Sequence, residues 1–381
     1  MTNLEFIAAP RSAPLQRNVE DVVLDVRGLS VDYGVGSNAV HAVVNVDLTV
    51  RRGEVLGIAG ESGSGKSTLV YAVTRLLRDP GVIVAGEATF YSRPDASMDA
   101  HPVDLLADDK AVIRSVRWSE IAVVFQSALN ALNPVFTIGT LIDDVLKAHE
   151  PQMSKRDRRA RAAELLGMVG ISADRLRSYP HELSGGMRQR VMIALSIALQ
   201  PQLLIMDEPT TALDVVIQRE ILEQLMDLRE RLGFTVIFIT HDLSLLIELA
   251  DTIAVMYAGE IVERAPAQAL FRAPRHPYTY GLLNSFPSLH GPRIAMTGIK
   301  GSPPDLRHAP SGCPFHPRCA HAMPECVSEH PPVLRLHDGF GVRDVSCWLQ
   351  DSAHAVPPEL ALTHDAASAR VTPVTPTEAD T

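Results

Sequence analysis

The sequence predicts an α/β fold with a mainly parallel sheet, and three observations carry that prediction. Between residues 55 and 262, apolar runs of strand length alternate with helical stretches. A glycine-rich loop, Gly60-Glu61-Ser62-Gly63-Ser64-Gly65-Lys66-Ser67, joins the apolar run Val55-Leu56-Gly57-Ile58-Ala59 to a helical stretch over 68–77. A further apolar run, Leu203-Leu204-Ile205-Met206, ends in two carboxylates, Asp207 and Glu208.

Taken in order, residues 1–19 show no periodicity and read as a flexible N-terminus, without the basic start and apolar core of a signal peptide. Short β-rich runs follow at 22–26, 29–33 and 40–50, then a turn at Arg52-Gly53, and more strand at 82–91. They read as an antiparallel layer against the parallel sheet. From about 103 to 200 the character is helical: Leu141, Ile142, Val145 and Leu146 share one face, and Ser154 starts a helix that ends near Gly170. Strands are then expected at 203–206, 235–239, 253–257 and 260–262, with a helix over 217–232. One unit is thus expected over 20–265. Beyond it prolines crowd a loop-rich region at 266–350, and the Ala/Pro/Thr/Asp-rich stretch 351–381 reads as a disordered tail. No internal repeat is evident.

Composition narrows the function. At 381 residues and 46% apolar content the chain can bury a large core. A formal net charge of −10 argues against an extensive nucleic-acid surface. The run Lys155-Arg156-Asp157-Arg158-Arg159-Ala160-Arg161 lacks interleaved aromatics and is expected to be a solvated helix face. No apolar run reaches the ~18–20 residues that span a bilayer, so the cytosol is the expected compartment. Four cysteines would stay reduced there and suit a metal better than disulfides.

The loop has the chemistry of a nucleoside triphosphate site. Gly63 and Gly65 lack Cβ atoms, so the backbone can aim its N–H groups at phosphate oxygens. The helix that follows adds a partial positive charge. Lys66 can reach the β- and γ-phosphates, and the Ser67 hydroxyl can ligate Mg²⁺. Asp207, at the end of a buried strand, is placed to hold the same ion, and Glu208 to deprotonate an attacking water. Leu183-Ser184-Gly185-Gly186-Met187-Arg188-Gln189-Arg190 opens another helix, with Ser184 as its N-cap and Gly185-Gly186 leaving backbone N–H groups bare.

With these residues in this order, the chain over roughly 22–262 resembles the ATP-binding subunit of ABC transporters. The resemblance implies a P-loop ABC nucleotide-binding domain: a RecA-like parallel sheet core, an antiparallel β subdomain and a helical subdomain. Leu183 to Gln189 looks like the family's signature motif. Tyr33 stands where an aromatic stacks on adenine, and Gln126, after a strand over 121–125, resembles the Q-loop glutamine that meets Mg²⁺ or water. Thr211-Ala212-Leu213-Asp214 resembles the D-loop, with Thr211 where serine is more usual, and His241 resembles the switch histidine at the γ-phosphate. The implied catalytic residues are Glu208, His241 and Gln126. The implied ATP and Mg²⁺ site comprises Tyr33, Gly60, Glu61, Ser62, Gly63, Ser64, Gly65, Lys66, Ser67, Thr68, Gln126 and Asp207. Ser184, Gly185, Gly186, Gln189 and Asp214 would complete the site of a second ATPase subunit, identical or homologous, in a head-to-tail dimer. ATP binding closes that dimer and hydrolysis opens it against two transmembrane permease subunits. The subunit would lie peripherally on the cytoplasmic face of the cell membrane. A non-transport ABC ATPase acting on ribosomes or DNA is the alternative.

The downstream residues point to one branch. Pro274-Arg275-His276-Pro277-Tyr278-Thr279, Gly301-Ser302-Pro303-Pro304 and Gly312-Cys313-Pro314-Phe315-His316-Pro317-Arg318-Cys319 resemble the C-terminal extension of oligopeptide/dipeptide importer ATPases, as does Leu132-Asn133-Pro134. Ser127-Ala128 departs from the acidic residue and proline often found after the glutamine there. The branch also serves nickel and some sugar importers, and an extracytoplasmic solute-binding protein selects the cargo. Cys313, Cys319, Cys326 and Cys347 are spaced C-x₅-C-x₆-C-x₂₀-C, without the C-x₂₋₄-C pairs usual for zinc. Branch members with this pattern are described as holding a [4Fe–4S] cluster, which four thiolates can ligate. Zn²⁺ or unligated thiols are the alternatives, and His316 and His321 lie near enough in sequence to replace a ligand.

Overall fold

Runs of β-branched residues at the start of the chain pair with one another before the parallel sheet begins. In the computed structural model, residues 21–93, 102–125, 132–209, 214–285, 298–360 and 370–373 are described. Strand β1 (Val22–Tyr33) pairs antiparallel with β2 (Val40–Arg51). The runs at 22–26 and 29–33 are thus one strand. Its register shifts between Val26 and Leu29, and Gly28 at φ 56° absorbs the irregularity. Strand β3 (Val55–Ala59) is buried throughout and feeds the phosphate loop and α1 (Lys66–Val73). That helix stops short of the expected 77, because Arg75 turns to φ 56° and the Thr74 hydroxyl donates back to the Val70 carbonyl. Strands β4 (Gly81–Tyr91) and β5 (Pro102–Asp104) complete a four-stranded antiparallel sheet in the order β2-β1-β4-β5.

The stretch expected to be helical from 103 begins otherwise. After α2 (Lys110–Val116), capped by Asp109, comes β6 (Ile121–Val124), a fully buried strand of the central sheet. The helical layer proper is α3 (Ile138–His149), α4 (Lys155–Met168) and α5 (Gly185–Ser196). Ile138, Ile142 and Leu146 are the buried stripe of α3, with Leu141 and Val145 at its margin. Ser154 caps α4 as expected. The basic run on α4 is largely exposed, with Arg158 paired to Asp143 and Arg161 to Glu164.

Then β7 (Leu203–Asp207), α6 (Val215–Leu232), β8 (Thr235–Ile239), α7 (Leu243–Leu249) and β9 (Thr252–Tyr257) complete the parallel part. Side chains alternate across it with period two. Leu204, Met206, Val236 and Phe238 face the helical layer, whereas Leu203, Ile205, Ile237 and Ile239 face α1 and the antiparallel sheet.

The chain continues through β10 (Glu260–Pro266), α8 (Ala267–Arg272), α9 (Pro277–Leu283), α10 (Pro324–Ser328), β11 (Val333–Asp338), β12 (Gly341–Ser346) and β13 (Arg370–Pro373). The sheet order is β13-β11-β12-β10-β9-β3-β8-β7-β6, parallel from β9 to β6 and antiparallel beyond. The proline-rich region therefore extends the main sheet through a hairpin that periodicity did not reveal. In β11 and β12 charged residues interrupt the apolar pattern, and Arg343 is itself buried against Asp338 at 2.8 Å. Of the stretch expected to be a tail, residues 351–360 and 370–373 are described. Leu360 is buried, and its carbonyl accepts from Arg275 at 2.9 Å. Among the described residues no helix is long and apolar enough to cross a membrane.

Candidate nucleotide site and cysteine pocket

Ligands of parallel α/β sheets bind beyond the carboxyl ends of the strands. Here β3, β8 and β7 are neighbours in register, with Ile58 opposite Ile239 and Ile239 opposite Asp207. Their ends deliver the phosphate loop, His241 and the Asp207-Glu208 pair to one edge of the sheet.

Gly65 caps α1 at φ 101°, and a Cβ there would lie 2.2 Å from the Ala42 carbonyl oxygen. Gly60, at φ 147°, would bring a Cβ within 2.3 Å of the Met256 carbonyl oxygen. Both positions therefore require glycine. The Lys66 amine is buried and donates to the Gly60 and Glu61 carbonyls, each at 2.8 Å. Desolvation pulls its pKa below the usual lysine range, against the nearby Glu208, Asp207 and Glu61 charges.

Asp207 is fully buried. Its Oδ1 accepts from the Ser67 hydroxyl at 2.9 Å and its Oδ2 from the Tyr71 hydroxyl at 2.7 Å. Burial raises its pKa, while these two hydrogen bonds hold it down. Adjacent ligands of an octahedral Mg²⁺ with bonds of ~2.0–2.1 Å stand about 2.9 Å apart, so the Ser67 and Asp207 oxygens fit that ion. Glu208 sits at φ 45°, a left-handed conformation uncommon for a residue without a local turn role. Its backbone N–H is held by the Ile239 carbonyl at 2.9 Å, and its Oε1 lies 3.4 Å from His241 Nδ1. A carboxylate and an imidazole thus meet at the sheet edge that also carries the phosphate loop.

The Tyr33 hydroxyl lies 3.4 Å from the Thr68 hydroxyl, which sets its ring beside the first turn of α1. Ser62 and Gly63 are exposed on the loop, and Ser64 is buried within it. Ser184 belongs elsewhere: its hydroxyl accepts from the Met187 N–H at 3.3 Å, capping α5. No hydrogen bond joins it to the phosphate loop among the described residues. Gly186 packs against α6, where a Cβ would lie 2.7 Å from Ile217, and Gln189 is buried. Asp214 caps α6 through the Ile217 N–H at 3.0 Å. Gln126 and the residues Thr211, Ala212 and Leu213 lie outside the described residues.

Cys313, Cys319, Cys326 and Cys347 all line one pocket, together with His276, His316 and His321. None of the four is in a disulfide. Burial pushes the Cys313 thiol up to about 11 and raises Cys319 and Cys347 as well. Such thiols ionise only beside compensating positive charge, which a metal centre would supply. Among the described residues no group of three or more His, Cys, Asp or Glu side chains is arranged to hold a metal ion. The His316 Nδ1 lies 2.9 Å from the Cys313 carbonyl oxygen, and burial drops His276 to about 3, leaving it neutral.

Three residues beside the phosphate loop were given no role there by the sequence: Tyr71, Tyr278 and Arg318. Tyr71 had a signal, since it lies one helical turn after Ser67 and so shares its face. Tyr278, whose hydroxyl accepts from the Glu61 N–H at 2.8 Å, and Arg318, whose guanidinium meets the Glu61 carboxylate, were read only within the motifs of the C-terminal extension, with no link to the phosphate loop.

Comparison with known proteins bears on the whole arrangement. The family model described as ABC transporter matches residues 43–211, and that described as oligopeptide/dipeptide transporter, C-terminal region, matches 262–326. The dipeptide transport ATP-binding protein DppD of Escherichia coli (strain K12) is 43% identical over 319 residues, 83% of this chain and 94% of that protein. The oligopeptide transport ATP-binding protein OppD of Bacillus subtilis (strain 168) is 41% identical over 343 residues, 88% of this chain and 92% of its own. Among solved structures, a dimeric post-hydrolysis state of the ATP-binding cassette MJ0796 bound to ADP and Pi aligns at TM-score 0.55 and 28% identity. It covers 64% of this chain and 98% of that one. CbiO1 of Clostridium perfringens, part of the ABC transporter complex cbiONQ, aligns at TM-score 0.55 and 28% identity, covering 66% and 91% respectively.

Proposed function

The chain belongs to the ABC transporter family of ATP-binding subunits, and we propose that it hydrolyses ATP to power import of dipeptides or oligopeptides. The contact that carries this reading is the one between Ser67 and Asp207, which joins the phosphate loop to the carboxylate-ending strand at a spacing suited to Mg²⁺. The similarity to DppD and OppD, which extends over the proline-rich region, supports the peptide class.

In this reading the loop from Gly60 to Thr68 cradles the phosphates with backbone N–H groups, Lys66 reaches the β- and γ-phosphates, and Tyr33 stacks on adenine. Ser67 and Asp207, with Gln126, hold Mg²⁺, which neutralises charge on the phosphates. Glu208 accepts a proton from the attacking water, and His241 bonds the γ-phosphate from the neighbouring strand end. Ser184, Gly185, Gly186, Gln189 and Asp214 serve the ATP of a second cassette. Ser184 and Asp214 bond within their own helix caps, with no hydrogen bond to the chain's own phosphate loop among the described residues, which supports that role, as does the dimeric MJ0796 cassette. The assembly also includes two permeases and, through them, an extracytoplasmic solute-binding protein, with this subunit on the cytoplasmic face.

The cassette unit spans about 20–265 and the branch-specific extension 266–350. The four cysteines hold a [4Fe–4S] cluster, with Zn²⁺ as the alternative. What supports a shared centre is that all four thiols line one pocket.

The test is co-expression with membrane partners. ATP turnover by the recovered complex, together with peptide uptake when it is reconstituted with the cognate binding protein, is the expected result. Recovery with ribosomes, or absence of turnover in the complex, would overturn the reading.

A further inference from the structure

The phosphate loop carries a negative charge of its own, Glu61, where it must hold the anionic phosphates of ATP. The Lys66 amine rests on the Glu61 carbonyl at 2.8 Å, so this residue is part of the surface the phosphates approach. Its carboxylate is met by both terminal nitrogens of Arg318, at 2.6 and 3.0 Å, from 257 residues away. The contact is sheltered, with side-chain exposures of 6% for Arg318 and 26% for Glu61.

Arg318 is held in turn. Its Nε donates to the Lys300 carbonyl at 3.0 Å, and its guanidinium lies 5.7 Å from the Tyr257 ring centre and 6.0 Å from that of Phe315. Tyr278 fixes the Glu61 backbone N–H on the same side. In sequence Arg318 directly precedes Cys319, on the wall of the cysteine pocket. Among the described residues, the region beyond the cassette thus meets the phosphate loop at Glu61 through both Arg318 and Tyr278.

We propose that Arg318 is a positioning residue for nucleotide: it neutralises the Glu61 carboxylate and holds it off the phosphates, so that the cysteine-bearing segment sets ATP affinity. A planar fork suits this task, because two parallel hydrogen bonds fix the direction of the carboxylate as well as its charge. Without Arg318, an unpaired carboxylate beside the phosphates would repel them in a site of reduced dielectric. This inference rests on the reading that the loop binds ATP.

The test measures ATP binding and turnover by the full chain, comparing wild type, Arg318→Met, Glu61→Gln and the double variant. Arg318→Met is expected to raise Kd for ATP about tenfold at low salt, a gap that narrows as salt screens the charge. Its kcat at saturating ATP should stay near that of wild type. The double variant should recover most of the affinity that Arg318→Met loses, and Arg318→Met should cost little when made on the Glu61→Gln background, because the repelling charge is gone. Unchanged affinity in Arg318→Met, or a loss that Glu61→Gln does not restore, overturns the proposal, the second outcome marking Arg318 as packing alone. If Arg318→Met does not fold, Arg318→Lys carries the same comparison with a smaller expected loss. Wild type that binds no ATP would defeat the parent reading, and is distinguished by the wild-type arm itself.

Discussion

Ser67 donates its hydroxyl proton to Asp207 across 2.9 Å, although the two residues stand 140 positions apart. One begins α1 and the other ends β7, so the contact exists because β3 and β7 flank β8 with their carboxyl ends on one edge. The carboxylate is buried and leans on two hydroxyl donors to remain ionised.

Removing one donor should show in the acid limb of activity. Tyr71 stabilises the charged form of Asp207, so Tyr71→Phe raises the Asp207 pKa further above its ordinary value. The carboxylate then protonates at higher pH as acidity increases, and the acid limb of kcat/KM for Mg-ATP moves up by about one pH unit. Superimposable pH profiles for the two proteins would exclude this coupling.

Glu208→Gln should retain ATP binding and lower kcat by a hundredfold or more, of the order expected for loss of a general base. The variant should also accumulate as a closed dimer in ATP, visible by size-exclusion chromatography. Hydrolysis at the wild-type rate would refute the assignment of Glu208.

The Glu260 carboxylate, 2.7 Å from His330 Nε2, raises that imidazole above its ordinary value of 6.5. The pair stabilises fully while histidine is charged in both states, below about 6.5, and the contribution is lost as pH rises through the raised folded value. His330→Gln should therefore lower Tm by about 1–2 °C near pH 6 and by less at pH 9, the pair being half-exposed. A Tm difference that grows with pH would contradict the sign.

Protein purified without oxygen should carry about four irons and four acid-labile sulfides per chain, with a broad visible absorption. Cys347→Ser should lower iron content, since its thiol is buried at the pocket. One zinc per chain would make the segment a structural clip. Neither metal would remove the proposed role of the four cysteines and leave the ATP site untouched.

Much of the catalytic edge was legible because its signals are local. The spacing of Gly60, Gly65, Lys66 and Ser67 describes a backbone shape, and Asp207 after four buried apolar residues describes a strand end. Ser154 and Ser184 announced helix starts that the structure bears out. The hairpin of β11 and β12 was not legible, since ion pairs such as Arg335 with Asp344 at 2.7 Å replace the apolar alternation that marks a strand. The strand β6 was legible as the apolar run 121–125 before Gln126, and it falls at Ile121–Val124.

By itself the sequence determined the phosphate loop, the order of strands and helices around it and the presence of four thiols in one segment. Those features depend on neighbours within a turn or a strand, where covalent geometry limits the options. Only the tertiary structure decided that Ser67 and Tyr71 meet Asp207, that the proline-rich region joins the main sheet, and that Arg318 reaches Glu61. Such contacts follow from how whole layers pack, and no local periodicity encodes which distant charge will be buried against which.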